Sequence, residues 1–236
     1  MSITSFKRIE KKYVVTKEQK EILLREMLKH MELDKYCLNE KTYKVQNVYY
    51  DTVGHDLIAQ SVRKPAFKQK LRVRKYTNQE DRFLEIKKKC EGVVGKRRVA
   101  LSQEEIDDFI LRQITPIRAN FVDNEVIKEI AYVLSLYKVR PEVYISYERL
   151  GLFDINDKEF RITFDEKIHA KKNNFDWDQD DYEINLLEDG YFVMEIKTVK
   201  NFPLWLVKLL NENKIYPHSF SKYGTEYELG LKNGGK

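Results

Sequence analysis

The chain has 236 residues, of which 42 % are hydrophobic and 12 % aromatic, with fifteen Tyr and twelve Phe; this is enough apolar material for a sizeable core and excludes a disordered chain. Lys and Arg (43) barely outnumber Asp and Glu (38), so the net charge of +5 does not by itself imply nucleic acid. The placement of the charges has to carry any functional reading.

In chain order, residues 6–15 read as a strand, and Thr16 with Gln19 then forms a capping box. Ile22, Leu23, Met27, Leu28 and Met31 recur at helical spacing after it, predicting a helix through about residue 32. Runs rich in Val, Ile, Tyr and Phe predict strands over 43–51, 67–77, 81–89 and 93–101. Ser102 with Glu105 repeats the capping box ahead of Ile106, Phe109 and Ile110, and Val126, Ile127, Ile130, Val133 and Leu134 draw a further helical stripe. Strands are predicted at 141–153, 159–168, 181–187 and 191–199, and Pro203 suits the first turn of a helix carrying Leu206, Val207 and Leu210. There is no repeat and no Gly/Ser-rich linker, so a single domain over 1–236 is expected. Many strands with short polar connections predict an α+β protein, an antiparallel sheet or barrel with amphipathic helices outside it.

Cys37 and Cys90 are far apart with no CxxC partner, so neither a disulfide framework nor a zinc site is suggested. The opening "MSITSFKRIEKKY" lacks the apolar core of a signal peptide, and no apolar run is long enough to cross a bilayer. A cytoplasmic location without a membrane segment is expected.

Alternation splits the strands into two faces. Arg8, Glu10 and Lys12 share one face, with Ile9, Tyr13 and Val15 opposite; Lys70, Arg72 and Arg74 oppose Leu71 and Val73; Glu85, Lys87 and Lys89 oppose Leu84 and Ile86. Lys96 and Arg98 oppose Val99 and Leu101, Arg161, Thr163 and Asp165 oppose Phe160, Ile162 and Phe164, and Glu195 and Lys197 oppose Met194 and Ile196. A solvated sheet face mixes signs with Ser, Thr and Gln, whereas these faces are Lys and Arg with isolated Glu. The apolar faces need the helices, which turns the charged faces together. In a closed barrel some ten cations at ~6–10 Å repel strongly and call for a polyanion. A phosphate chain suits them, and the few carboxylates suit a hard divalent cation bridging phosphate oxygens.

The ordered segments "RIEKKY", "KLRVRKY", "FLEIKKK", "GKRRVALS", "FRITFDEKI", "VMEIK" and "FSKYG" resemble the VTC-type polyphosphate polymerase domain of the triphosphate tunnel metalloenzyme (CYTH-like) superfamily, over roughly residues 5–230. The resemblance implies an eight-stranded antiparallel tunnel, with ATP and inorganic polyphosphate or triphosphate as partners and Mn²⁺ or Mg²⁺ as cofactor. It implies transfer of the ATP γ-phosphate to a growing polyphosphate chain. Carried over, Lys12, Arg72, Arg74, Lys87, Arg161 and Lys222 match the residues that grip the triphosphate. Lys96 and Arg98 match a further basic pair, Arg8, Lys89, Arg149 and Lys197 are additional contacts, and Glu195 matches the metal carboxylate. Glu85 and Glu10 are candidates for the metal or for orienting a lysine.

The hydrolase and cyclase branch opens with Glu-x-Glu-x-Lys, whereas this chain has Arg8-Ile9-Glu10-Lys11-Lys12. A cation there replaces a metal ligand and favours holding phosphate over activating water. A metal-dependent tripolyphosphatase and a non-catalytic polyphosphate-binding module are the alternatives. The four His are scattered without metal-ligand spacing, "DWDQDDY" lacks the Gly and terminal Glu of a calcium loop, and "IKKKCEGVVGKRR" alternates like strands rather than a nucleic-acid arm.

Overall fold

A computed structural model describes residues 9–37, 41–63, 66–77, 79–91 and 93–233. The elements are β1 (Ile9–Thr16), α1 (Lys17–Met27), β2 (Met31–Leu33), β3 (Tyr43–Asp51), α2 (Asp56–Arg63), β4 (Phe67–Tyr76), β5 (Arg82–Cys90), β6 (Val93–Leu101), α3 (Gln103–Leu111), α4 (Phe121–Leu136), β7 (Arg140–Asp154), β8 (Arg161–Lys171), β9 (Ile184–Asn185), β10 (Tyr191–Thr198), α5 (Leu204–Glu212) and α6 (Lys222–Asn233). Eight strands hydrogen-bond in the order β1-β10-β8-β7-β3-β4-β5-β6, with β2 on β7 and β9 on β8. The α+β class with an antiparallel eight-strand path and flanking helices is the one expected from the sequence. No helix among the described residues is long and apolar enough to cross a membrane.

The chain divides into two compact units. The first comprises the described residues of Met1–Lys44, Tyr147–His169 and Asn185–Ser221. Its core joins Tyr13 and Val15 of β1 to Phe160, Ile162 and Phe164, to Met194 and Ile196 of β10, and to Leu23, Met27, Leu206 and Leu210 of the helices. Both halves of the Thr16–Gln19 capping box are made, which fixes where β1 gives way to α1. The helix stops at Met27 rather than near residue 32. Met31 keeps its helical spacing only by coincidence, because it is buried as the first residue of β2, opposite Asp154.

The second unit comprises Val45–Ser146, Ala170–Ile184 and the described residues of Lys222–Lys236. Here Leu71 and Val73 of β4, Leu84 and Ile86 of β5 and Val99 of β6 are buried against Ile106, Phe109, Val126, Ile127 and Ile130 of α3 and α4. The apolar sets therefore face the helices, as the alternation predicts. On that same side Lys88 and Arg97 pair with Glu129 of α4 at 2.8 and 3.3 Å, so two basic residues of β5 and β6 belong to helix docking. The strand predicted over 181–187 is reduced to Ile184–Asn185.

The acidic segment "DWDQDDY", which lacks the pattern of a calcium loop, is largely exposed and folds around an internal cation. The Lys171 side chain is fully buried, and its Nζ donates to Asp176 O (2.9 Å), Gln179 O (2.7 Å) and Asp181 Oδ1 (2.7 Å), above the Tyr144 ring. Lys171→Met leaves these acceptors without their donor and is expected to lower stability by roughly 3 kcal/mol. Urea unfolding checks this, and an unchanged midpoint would show that the ammonium does not hold the loop.

Candidate functional site

The register of the second unit lays charged side chains in rows. Tyr49, Arg72, Glu85 and Arg98 stand opposite one another across β3, β4, β5 and β6, and Lys70, Lys87 and Lys96 form the neighbouring row. Glu85 is the sole acidic residue of β4, β5 and β6 and is only 1 % exposed. Its Oε2 accepts from Arg72 Nε at 2.8 Å and lies 2.7 Å from Arg72 Nη2, with Arg74 Nε at 4.0 Å. Its Oε1 is 2.7 Å from Lys96 Nζ, a close ion pair whose angle falls outside hydrogen-bond geometry. Arg74 is buried, its Nε donating to Asn47 Oδ1 at 2.8 Å, while Asn47 Nδ2 donates to Ile145 O. The Arg98 guanidinium lies 4.5 Å over the Phe83 ring. Lys89 is half-buried at the far end, opposite Lys68.

Burial works to raise the Glu85 carboxyl, but Arg72, Arg74 and Lys96 overcome it and hold the group far below the usual carboxylate range. Lys96 is pushed down to about 7, by burial first and by Arg74 and Arg72, against the pull of Glu85. Some 37 % of its side chain still meets solvent, which moderates that shift. One carboxylate therefore fixes several cations without neutralising them.

In the first unit Lys12, Glu195 and Thr163 stand in one row and Glu10, Lys197 and Arg161 in the next. Glu195 Oε1 is 3.2 Å from Lys197 Nζ, and Lys12 Nζ lies 3.8 Å from Glu10 Oε1 while donating to Phe220 O at 2.9 Å. Burial opposes the charge on Glu195, but Lys197, Lys12, a hydrogen bond involving Glu10, and Arg149 hold it well below the usual range. Arg149 makes a bidentate pair with the fully buried Asp165, Nε to Oδ1 at 2.7 Å and Nη2 to Oδ2 at 2.8 Å. Arg161 is exposed; its Nε donates to Lys158 O and its guanidinium lies 4.6 Å over the Phe153 ring.

Of the site residues expected from the sequence, the second unit thus gathers Arg72, Arg74, Glu85, Lys87, Lys96 and Arg98 on one face, with Lys89 at its end. The first unit gathers Glu10, Lys12, Glu195, Lys197 and Arg161, with Arg149 held by Asp165. Lys222 is the first residue of α6, where the sequence suggested no element, and Arg8 lies outside the described residues. The same faces also carry Asn47, Tyr49, Asp51, Lys70, Thr163 and Asp165, which were not among the expected site residues. The alternation that sorted the other strands, applied to 43–51, places Asn47, Tyr49 and Asp51 on one face.

Among the described residues no three His, Cys, Asp or Glu side chains converge as a metal cluster. Glu10 and Glu195 are nonetheless adjacent, and Glu195 is held ionised. Two carboxylates fit Mg²⁺ or Mn²⁺, which usually takes one or two with the remaining positions left to water and phosphate oxygens. Glu85 fits less well, since both its oxygens already face cations.

The family model for the VTC domain matches residues 7–230. No curated protein matches the chain. A crystal structure described as that of a candidate adenylate cyclase from Bacillus halodurans is similar, with a TM-score of 0.54 and 14% identity over 91% of this chain and 95% of that one. So is a candidate adenylyl cyclase from Hippeastrum, described as having a dominant triphosphatase activity, with a TM-score of 0.51 and 14% identity over 96% of each chain. At such identities the likeness is one of fold.

Proposed function

The chain belongs to the VTC domain family, and we propose that it is a metal-dependent phosphotransferase that moves the γ-phosphate of ATP onto a growing inorganic polyphosphate chain. The observation that carries this reading is the group formed by Arg72, Arg74 and Lys96 around Glu85. A buried carboxylate pre-orients the cations, so little side-chain entropy is lost when an anion arrives, and the positive excess is left for that anion. Phosphate oxygens accept both the forked donors of Arg and the point charge of Lys.

On this reading Lys87, Arg98 and Lys89 extend the phosphate contacts of the second unit, and Lys222 reaches phosphate from the start of α6. Lys12, Arg161 and Lys197, with Arg8, grip phosphate in the first unit, and Arg149, set by Asp165, presents a fixed positive charge. Glu195 with Glu10 holds Mn²⁺ or Mg²⁺, which supplies charge neutralisation on the transferring phosphoryl group. Phosphoryl transfer asks chiefly for alignment and electrostatic stabilisation, and a terminal phosphate is ionised near neutral pH, so no dedicated base is needed.

Hydrolysis of triphosphate is the second reading, supported by the activity described for the Hippeastrum neighbour. Incubation with ATP and Mn²⁺, a gel stained for polyphosphate and an assay of free phosphate separate the two. Long chains with ADP are expected. Free phosphate without chains would establish the hydrolase instead, and tight polyphosphate binding with neither product would leave a binding module.

A further inference from the structure

Tyr49 stands at the β3 end of the row that Arg72, Glu85 and Arg98 continue across β4, β5 and β6. It is 6 % exposed, lies opposite Arg72, and its hydroxyl oxygen accepts from Arg72 Nη1 at 3.0 Å. Its ring packs against Tyr223, with centroids 4.9 Å apart. The Tyr223 hydroxyl donates in turn to Asp51 Oδ2 at 3.0 Å, and Asp51 also accepts the Leu57 and Ile58 N–H groups at the start of α2. The ring of Tyr49 is thus fixed by Tyr223 and its oxygen by Arg72.

That arrangement leaves the hydroxyl proton. Among the described residues nothing accepts it, and the groups around the phenol, Lys70, Arg72 and Arg74, are donors without lone pairs to offer. A buried donor without an acceptor costs about 1–3 kcal/mol, so the position is built for an acceptor from outside the chain. The surrounding cations select an anionic oxygen.

We propose that Tyr49 is a phosphate-binding residue: its hydroxyl donates to a non-bridging oxygen of the bound phosphate chain while its own oxygen holds Arg72 in place. The inference rests on the phosphate-chain reading of this face and adds to it a neutral donor beside the cations of β4. It also links binding to ionisation. Burial opposes ionisation of the phenol, but Arg72, Lys70 and Arg74 outweigh burial and bring it down to about 8. The other groups near it are Tyr223 with Asp51 behind, and Glu85 beyond Arg72. A phosphate that accepts the proton's hydrogen bond and adds negative charge favours the neutral phenol, so occupancy raises that value and alkaline pH weakens binding.

The test uses the intact protein and inorganic tripolyphosphate. Ultraviolet difference titration should show one tyrosine ionising near pH 8, displaced upward by tripolyphosphate and absent from Tyr49→Phe. Calorimetry at pH 7 should find tripolyphosphate bound roughly five- to thirtyfold more weakly by Tyr49→Phe. The wild-type affinity should also fall more than the variant's between pH 7 and 9, Lys96 contributing equally to both. Affinities within twofold of each other, or a tyrosinate signal that tripolyphosphate does not move in the wild type, would overturn the role of Tyr49; the second readout needs no variant to fold. A wild-type protein that binds no tripolyphosphate would overturn the phosphate-chain reading itself, an outcome distinct from the loss of Tyr49's share.

Discussion

Glu85→Gln is expected to destabilise the protein by roughly 3 kcal/mol or more, because it strands Arg72, Arg74 and Lys96 beside a neutral amide in a largely buried place. The sign with pH follows from the depressed carboxyl. A group whose folded-state value lies below its unfolded value, about 4.3 for Glu, contributes fully above that value and loses its contribution as pH falls below it. Wild-type unfolding free energy should therefore fall as pH drops below about 4.3, and Glu85→Gln should show a shallower fall. The variant should also be stabilised by tripolyphosphate at least as much as the wild type. Removing a negative charge ~6 Å from each bound phosphate charge is worth about 3 kcal/mol at an effective dielectric of ~20. Losing the pre-orientation of two side chains costs about 1–3 kcal/mol. Thermal unfolding with and without tripolyphosphate reads both effects. An unchanged melting temperature without anion would show that Glu85 does not hold the cations together.

Glu195→Gln should separate turnover from binding. The substitution keeps the size of a buried side chain but removes the charge that Lys197, Lys12 and Arg149 sustain. If Glu195 with Glu10 holds the divalent cation, product formation from ATP should drop about a hundredfold or more, and the Mn²⁺ concentration needed for half-maximal rate should rise. Tripolyphosphate affinity measured without metal should stay within about threefold, since the lost carboxylate repels phosphate while the cations around it remain. Equal loss of rate and affinity would contradict a metal role and mark Glu195 as a scaffold for Lys12 and Lys197.

The faces of β4 and β5 were legible because "KLRVRKY" and "FLEIKKK" alternate sharply between charge and branched aliphatics, and burial of Leu71, Val73, Leu84 and Ile86 followed from that period. β3 gave no such contrast. "NVYYD" puts an aromatic on both faces, so Tyr49 beside Arg72 and Tyr50 in the core look alike in hydropathy. Lys171 was illegible for a different reason: its partners are two loop carbonyls and Asp181, contacts that composition does not encode. The helix α2 escaped notice because the side chains that accept its first N–H groups, Thr52 for Asp56 and Asp51 for Leu57 and Ile58, lie outside the usual capping position. Helix α6 carries two glycines, which weaken the propensity signal and hid the placement of Lys222. The pairing of Arg149 with Asp165 depends on two strands meeting, and neither strand alone shows which cation the buried carboxylate will hold.

The most direct test is a crystal structure of the protein with tripolyphosphate and Mn²⁺, using the anomalous signal to place the metal. Phosphate oxygens should lie within hydrogen-bond distance of Arg72, Arg74 and Lys96, with Mn²⁺ on Glu195. Tripolyphosphate seated on Lys88 and Arg97 at the helix side of the sheet, with the face around Glu85 free of phosphate, would contradict the account.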